Sequence, residues 1–170
     1  MKKIVLVLVM TAIFSAVLVV GVRHGNLGPQ LSASTQRLPA IDVRELLSPQ
    51  TRPLQDLIQH DMQLVNVWAS WCGYCRAEHG FIEELNEQGV PIIGVNYRDK
   101  RASAIHFLNQ MGNPFQHVIY DPRGELSDQL SVTVVPVTFL VNKQGEIIYK
   151  HVGQLDAKSW QARFAEYFDE

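Results

Sequence analysis

The residues best suited to chemistry stand in Trp71-Cys72-Gly73-Tyr74-Cys75, which holds both cysteines of the 170-residue chain. Two thiols with a two-residue spacer suit thiol–disulfide exchange: one thiolate attacks a disulfide, and the second thiol resolves the mixed disulfide that forms. A helix N-terminus favours such a pair, because its unsatisfied N–H groups and positive dipole end stabilise a thiolate at the first position. Cys72 is therefore the expected nucleophile and Cys75, one turn inward, the expected resolving thiol. A purely structural bridge across so short a loop closes little chain and stabilises little. Covalent haem attachment needs His after the second cysteine, and Arg76 stands there. Zinc needs further ligands, and only His79 follows at helical spacing, so neither a metal site nor a cofactor is expected. His79 reads as a solvent-facing helix residue at the rim of the site.

The elements that must position the pair follow from the patterning. Residues 64–69, Leu-Val-Asn-Val-Trp-Ala, predict a buried strand directly ahead of the motif. Residues 72–88 predict a helix with Ala77, Phe81 and Leu85 on its apolar face and Gly89 as its stop. A second strand is expected over 91–97, a helix over 101–111, an edge strand over 116–120 and a short helical stretch to Leu130. Strands over 137–141 and 146–152 are joined by the hairpin turn Asn142-Lys143-Gln144-Gly145, and an amphipathic helix closes the chain over 155–168. A short helix over 53–60 opens the series, and 41–47 reads either as a helix or as an edge segment. A β-α-β-α-β start followed by a hairpin and a terminal helix is an α/β sandwich with a mixed sheet, the thioredoxin-like fold, here spanning 53–170.

In that arrangement a proline just before a strand faces the cysteine pair with a cis peptide bond, and Pro136 has that place. Val135 before it then leaves its backbone free to pair with a substrate chain, while Trp71 and Tyr74 control access. Asn66 sits in the central strand where thioredoxins often carry an acidic proton acceptor. Asn cannot ionise, so a proton relay needs another group, and Glu78 on the active-site helix is the candidate.

Composition separates an appendage from this domain. Roughly three in four of residues 1–23 are hydrophobic, whereas the chain as a whole is 46% hydrophobic. After Met1-Lys2-Lys3 the stretch 4–22 lacks any charge, and it is close to the roughly 20 apolar residues that span a bilayer. The lysines favour a cytoplasmic start, so 1–23 reads as an uncleaved signal-anchor, ahead of a cleaved signal peptide or a buried core helix, and the rest as exported to the bacterial periplasm. Residues 24–52, rich in Gly, Pro, Ser, Gln and Thr, read as a tether. The anchor segment takes three of the 15 positive charges and no acid, so the exported part carries 12 against 17, a formal −5. No basic run offers a footprint for nucleic acid.

The stretch Asn66-Val67-Trp68-Ala69-Ser70-Trp71-Cys72-Gly73-Tyr74-Cys75-Arg76-Ala77-Glu78-His79 resembles the active-site segment of the CcmG/DsbE family, membrane-anchored periplasmic thiol:disulfide oxidoreductases of cytochrome c maturation. Gly94-Val95-Asn96-Tyr97-Arg98-Asp99, Gly112-Asn113-Pro114, Pro136-Val137-Thr138-Phe139-Leu140 and residues 149–155 resemble its later segments. The resemblance implies a reductase that keeps the haem-binding cysteines of apocytochrome c reduced, or acts on a partner thiol protein, and draws electrons from a membrane reductant of the DsbD/CcdA type. It also accommodates Asn66. Two departures stand out: the family's acidic residue after the cis-proline is Val137 here, and the segment before residue 62 lacks its Pro-x-Phe opening strand. A general periplasmic oxidase or isomerase, and a non-enzymatic apocytochrome or haem-delivery chaperone, are the rival readings.

Overall fold

In the computed structural model the described residues are 36–168, and they form seven strands and four α-helices. Strands β1 (Asp42–Arg44) and β2 (Thr51–Pro53) make a hairpin, followed by a 3-10 turn at Leu54–Leu57. Next come β3 (Met62–Trp68), α1 (Gly73–Glu87), β4 (Ile92–Tyr97), α2 (Arg101–Met111), β5 (His117–Asp121) and α3 (Glu125–Gln129). The chain continues with β6 (Val137–Asn142), β7 (Ile147–Val152), α4 (Ala157–Arg163) and a 3-10 turn at Ala165–Tyr167. The expected anchor, 1–23, lies outside the described residues, and no helix within them is long and apolar enough to cross a membrane.

The main sheet has the order β5-β4-β3-β6-β7, with β3, β4 and β5 mutually parallel and β6 and β7 antiparallel to their neighbours. This is the mixed sheet flanked by helices that the patterning calls for. Central β3 is covered on both faces, which is why its sequence is a nearly unbroken apolar run. On one face Leu64, Trp68 and Leu140 pack with Ile82, Phe107, Trp160 and Phe164 from α1, α2 and the C-terminal segment. On the other, Val65, Val67, Val95 and Phe139 pack beneath Leu54, Leu57, Leu126 and Leu130. Each such buried side chain contributes about 1.5–3 kcal/mol.

The domain begins earlier than the expected boundary at residue 53. Arg37 bridges Glu146 beside β7, and the Leu38 N–H donates to the Gly145 carbonyl at 2.8 Å. Glu45 bridges Ile119 on the β5 side, and the Leu46 N–H reaches the Val118 carbonyl at 2.7 Å. The second half of the expected tether therefore touches both edges of the sheet. Leu38, Val43 and Leu46 are buried, three apolar side chains in a segment whose polar, proline-rich composition otherwise reads as linker. Residues 41–47, undecided between helix and edge segment, take the edge form.

Helix α1 presents its expected face in part: Leu85 is buried and Phe81 packs half-buried against the core. Cys75, Glu78, His79, Ile82 and Leu85 are buried, whereas Ala77 is exposed. Two of these buried side chains, Glu78 and His79, are ionisable, so apolar spacing alone misses part of the stripe. The closing helix is also shorter than expected, ending at Arg163 before a 3-10 turn.

Candidate active site

Strand β3 delivers the chain to the site, where the Cys72 N–H donates to the Ala69 carbonyl at 3.2 Å. Cys72 is the N-cap of α1 in an extended conformation, and its Sγ accepts the Cys75 N–H at 3.0 Å. The sulfur thus takes the place of the oxygen that usually satisfies the first turn of a helix. Cys72 and Cys75 are joined in a disulfide. Both are buried, while Trp71 and Tyr74 beside them are 59% and 71% exposed. The Val135–Pro136 bond is cis, and the Val135 carbonyl lies 3.6 Å from Cys72 Sγ. Pro136 leads into β6, and its carbonyl accepts the Gly153 N–H at 2.9 Å. Exposed Val134 and Val152 extend the apolar rim. Val137, where the resembled family carries an acid, is buried among apolar side chains.

Beneath the cysteines lies a buried polar network. Asn66 faces Thr138 across β3 and β6, and its Nδ2 donates to Thr138 Oγ1 and to Glu78 Oε1, each at 3.0 Å. The other Glu78 oxygen accepts the Leu155 N–H at 2.7 Å. Only 1% of Glu78 is exposed. Burial pushes its carboxyl up to about 7, against the two hydrogen bonds, which favour the ionised form. Glu78 follows Cys75 by one helical turn on the same buried face.

His79 is not at the solvent rim. It is buried, with Nε2 3.0 Å from the Gly112 carbonyl and its ring edge-on to Phe107 at 5.0 Å. Desolvation lowers its pKa. The residue is shielded because α2 and the turn after it cover that side of α1.

Asp99, which the motifs leave without a role, organises the loop before the nucleophile. Its carboxylate accepts the Ser70 N–H at 2.6 Å, the Ser70 hydroxyl at 2.9 Å, Asn96 Nδ2 at 3.0 Å and the Lys100 N–H at 2.7 Å. The preceding residue, Arg98, has a φ of 45°, and its carbonyl accepts the Trp71 indole N–H at 3.2 Å. Arg98 is held in turn by Asp128 at 3.1 Å. One turn after β4 therefore fixes both residues that precede Cys72. The available signal is the run of polar residues at the carboxyl end of a parallel strand, where α/β folds gather their functional groups. Among the described residues, no three His, Cys, Asp or Glu side chains gather as metal ligands.

The chain matches the Redoxin family model over residues 33–166. It is 39% identical over 132 residues to the thiol:disulfide interchange protein DsbE of Vibrio cholerae, covering 78% of this chain and 72% of that one. The DsbE protein of Pseudomonas aeruginosa is 40% identical over 132 residues, 78% of this chain and 73% of its own. Among solved structures, a secreted thiol-disulfide isomerase from Corynebacterium glutamicum superimposes with a TM-score of 0.69 at 25% identity, covering 82% of this chain and 89% of that one.

Proposed function

The chain belongs to the Redoxin family and, within it, to the DsbE-type thiol:disulfide interchange proteins, and from that premise we propose that it is a reductase of protein disulfides in the periplasm. The single observation that carries the chemistry is the position of Cys72 Sγ, capping α1 and facing the Val135 carbonyl at 3.6 Å. In the reduced protein the Cys72 thiolate attacks one sulfur of a substrate disulfide. That S–S bond breaks, a mixed disulfide forms, and the leaving thiolate takes up a proton. Cys75 then loses its proton, with Glu78 as the acceptor poised near neutrality, and attacks Cys72 Sγ. The second substrate sulfur leaves as a thiol. Two electrons and two protons have passed to the substrate, and the protein is left with the Cys72–Cys75 disulfide. The two sulfurs store the electrons, and the reaction calls on no cofactor. Trp71, Tyr74 and the Val135 backbone form the surface that receives the substrate chain.

The substrate we assign is the disulfide between the haem-binding cysteines of apocytochrome c, or a mixed disulfide with a thiol protein of the same maturation route. The likeness of the segment from Asn66 to His79 to the CcmG/DsbE active site supports it. The apolar stretch in residues 1–23 would hold the domain at the periplasmic face of the inner membrane, within reach of a DsbD/CcdA-type reductant. A Cys75→Ala variant tests the assignment by leaving the mixed disulfide unresolved. It should trap c-type cytochrome components through Cys72, and trapping of unrelated proteins alone overturns the substrate. A reduction potential of about −120 mV, that of a strong oxidant, overturns the direction.

A further inference from the structure

We propose that the groove between α1 and α2, on the flank of the disulfide, is a docking surface for acidic residues of the partner polypeptide. This inference rests on the reductase reading and specifies the substrate it takes. The groove is open to solvent, offers about 390 Å³ and is lined by Ser70, Arg76, Ser103 and His106 over the ring of Phe107. It adjoins the active site along the chain. Ser70 lies two residues before Cys72, and the Arg76 N–H donates to the Cys72 carbonyl one turn into the same helix.

Its charge is one-sided. The Arg76 guanidinium lies 4.8 Å from the centre of the Phe107 ring, and among the described residues it has no carboxylate partner. Exposed Lys100, the N-cap of α2, stands two residues before Ala102 of the groove's lining and likewise has no carboxylate partner among the described residues. The nearby acid Asp99 is buried and taken up by Ser70, Asn96 and the Lys100 N–H. No lining residue is acidic.

The backbone adds to this field. Parallel neighbours β3 and β4 end at the same edge of the sheet, so α1 and α2 both start there, and neither carries an acid in its first turn. Two positive dipole ends and the Arg76 and Lys100 cations therefore gather at one edge of the sheet, beside the crevice. This stands out against residues 24–170, whose 12 positive and 17 negative side chains sum to −5. A partner steered by the whole domain would be basic. One with acidic residues flanking its cysteines meets the unpaired Arg76 and Lys100 charges at this groove, beside Cys72.

The test uses the full-length chain, reduced and freed of reductant, and two synthetic peptides. Both carry the same oxidised Cys-x-x-Cys loop, one flanked by Asp and Glu and the other by Lys. At low ionic strength the acidic peptide should be reduced about tenfold faster, the lower end of electrostatic steering, and ~1 M salt should erase the difference. Arg76→Glu should reverse the preference, and Lys100→Glu should shrink it. Equal rates for the two peptides, or a preference indifferent to salt and to both substitutions, overturn the docking surface while leaving the reductase reading in place. Failure to reduce either peptide overturns the reductase reading, and this inference with it.

Discussion

The Asp99 carboxylate grips Ser70 twice, at the backbone N–H (2.6 Å) and at the hydroxyl (2.9 Å), two residues ahead of the nucleophile and 29 away in sequence. Asp99 lies just beyond β4 and Ser70 just beyond β3, and the parallel register of those strands brings them together. The adjacent Arg98 carbonyl holds the Trp71 indole, so one tight turn positions the loop that presents Cys72.

Asp99→Ala should therefore damage both stability and reactivity. It strands the Ser70 and Asn96 donors in a largely buried site, at a cost on the order of 3 kcal/mol, read as a lowered urea midpoint at unchanged slope. Asp99→Asn keeps the shape and part of the accepting capacity, so its midpoint should fall about half as far. The Trp71 emission should change in the Ala variant, because the indole N–H loses its fixed acceptor when the turn relaxes. An Ala variant whose stability stays within about 0.5 kcal/mol of wild type, as for an inconsequential surface substitution, would show that the grip holds nothing.

Glu78 should set the pH profile of resolution. A base must be ionised to accept the Cys75 proton, so the rate of Cys75 attack on the mixed disulfide should rise with pH through about 7. In Glu78→Gln the inflection should vanish and the rate at neutral pH should fall by roughly 100-fold, the low end of what a positioned general base supplies. Stopped-flow decay of a preformed mixed disulfide gives both numbers. An unchanged profile in the Gln variant removes Glu78 from the proton path.

Local signals are enough to place Cys72, Cys75 and Pro136, because a helix start after a buried strand and a proline before another are written in adjacent residues. The sheet and most element bounds follow from the same period-2 and period-3.6 patterning. Other features depend on partners far away in sequence. Glu78 and His79 look like surface residues until Leu155, Asn66 and Gly112 are seen to satisfy them. Asp99 has no local partner beyond Asn96 and Lys100, and its clamp exists only once β3 and β4 pair. Residues 36–52 are hidden for the opposite reason, since an edge segment needs only a few apolar anchors in a polar stretch.

Gly94 marks a close approach beside the active-site strand. A Cβ there would sit 2.8 Å from the Phe115 ring and 3.0 Å from Trp68 Nε1, an N–H that is buried without a partner among the described residues. Phe115 stacks on Trp68 with centroids 5.8 Å apart and has little room to retreat. Gly94→Ala should thus lower stability by about 1–3 kcal/mol through overpacking, despite the gain in strand propensity. Adding Phe115→Leu should restore part of the loss. A Gly94→Ala protein as stable as wild type would mean that the ring moves freely.

Neighbouring Glu78 and His79 should pull the stability of the chain in opposite directions as pH changes. Glu78 is raised from 4.5 to about 7 by burial, so the native state holds a proton that the unfolded chain releases, and stability falls as pH rises from about 4.5 to 7. His79 is lowered by burial, so here the unfolded chain binds the extra proton, and stability falls as pH drops below about 6.5. Each group alone contributes up to about 1.4 kcal/mol per pH unit, and where their windows overlap the slopes cancel in part. The wild-type protein should therefore show a shallow dependence below pH 6.5. Glu78→Gln should unmask stability that rises with pH in that range. His79→Gln, which keeps a donor for the Gly112 carbonyl, should unmask stability that falls up to about pH 7. Chemical denaturation at half-unit steps from about pH 5 to 8 separates the two, and parallel curves for both variants would show that neither burial is linked to folding.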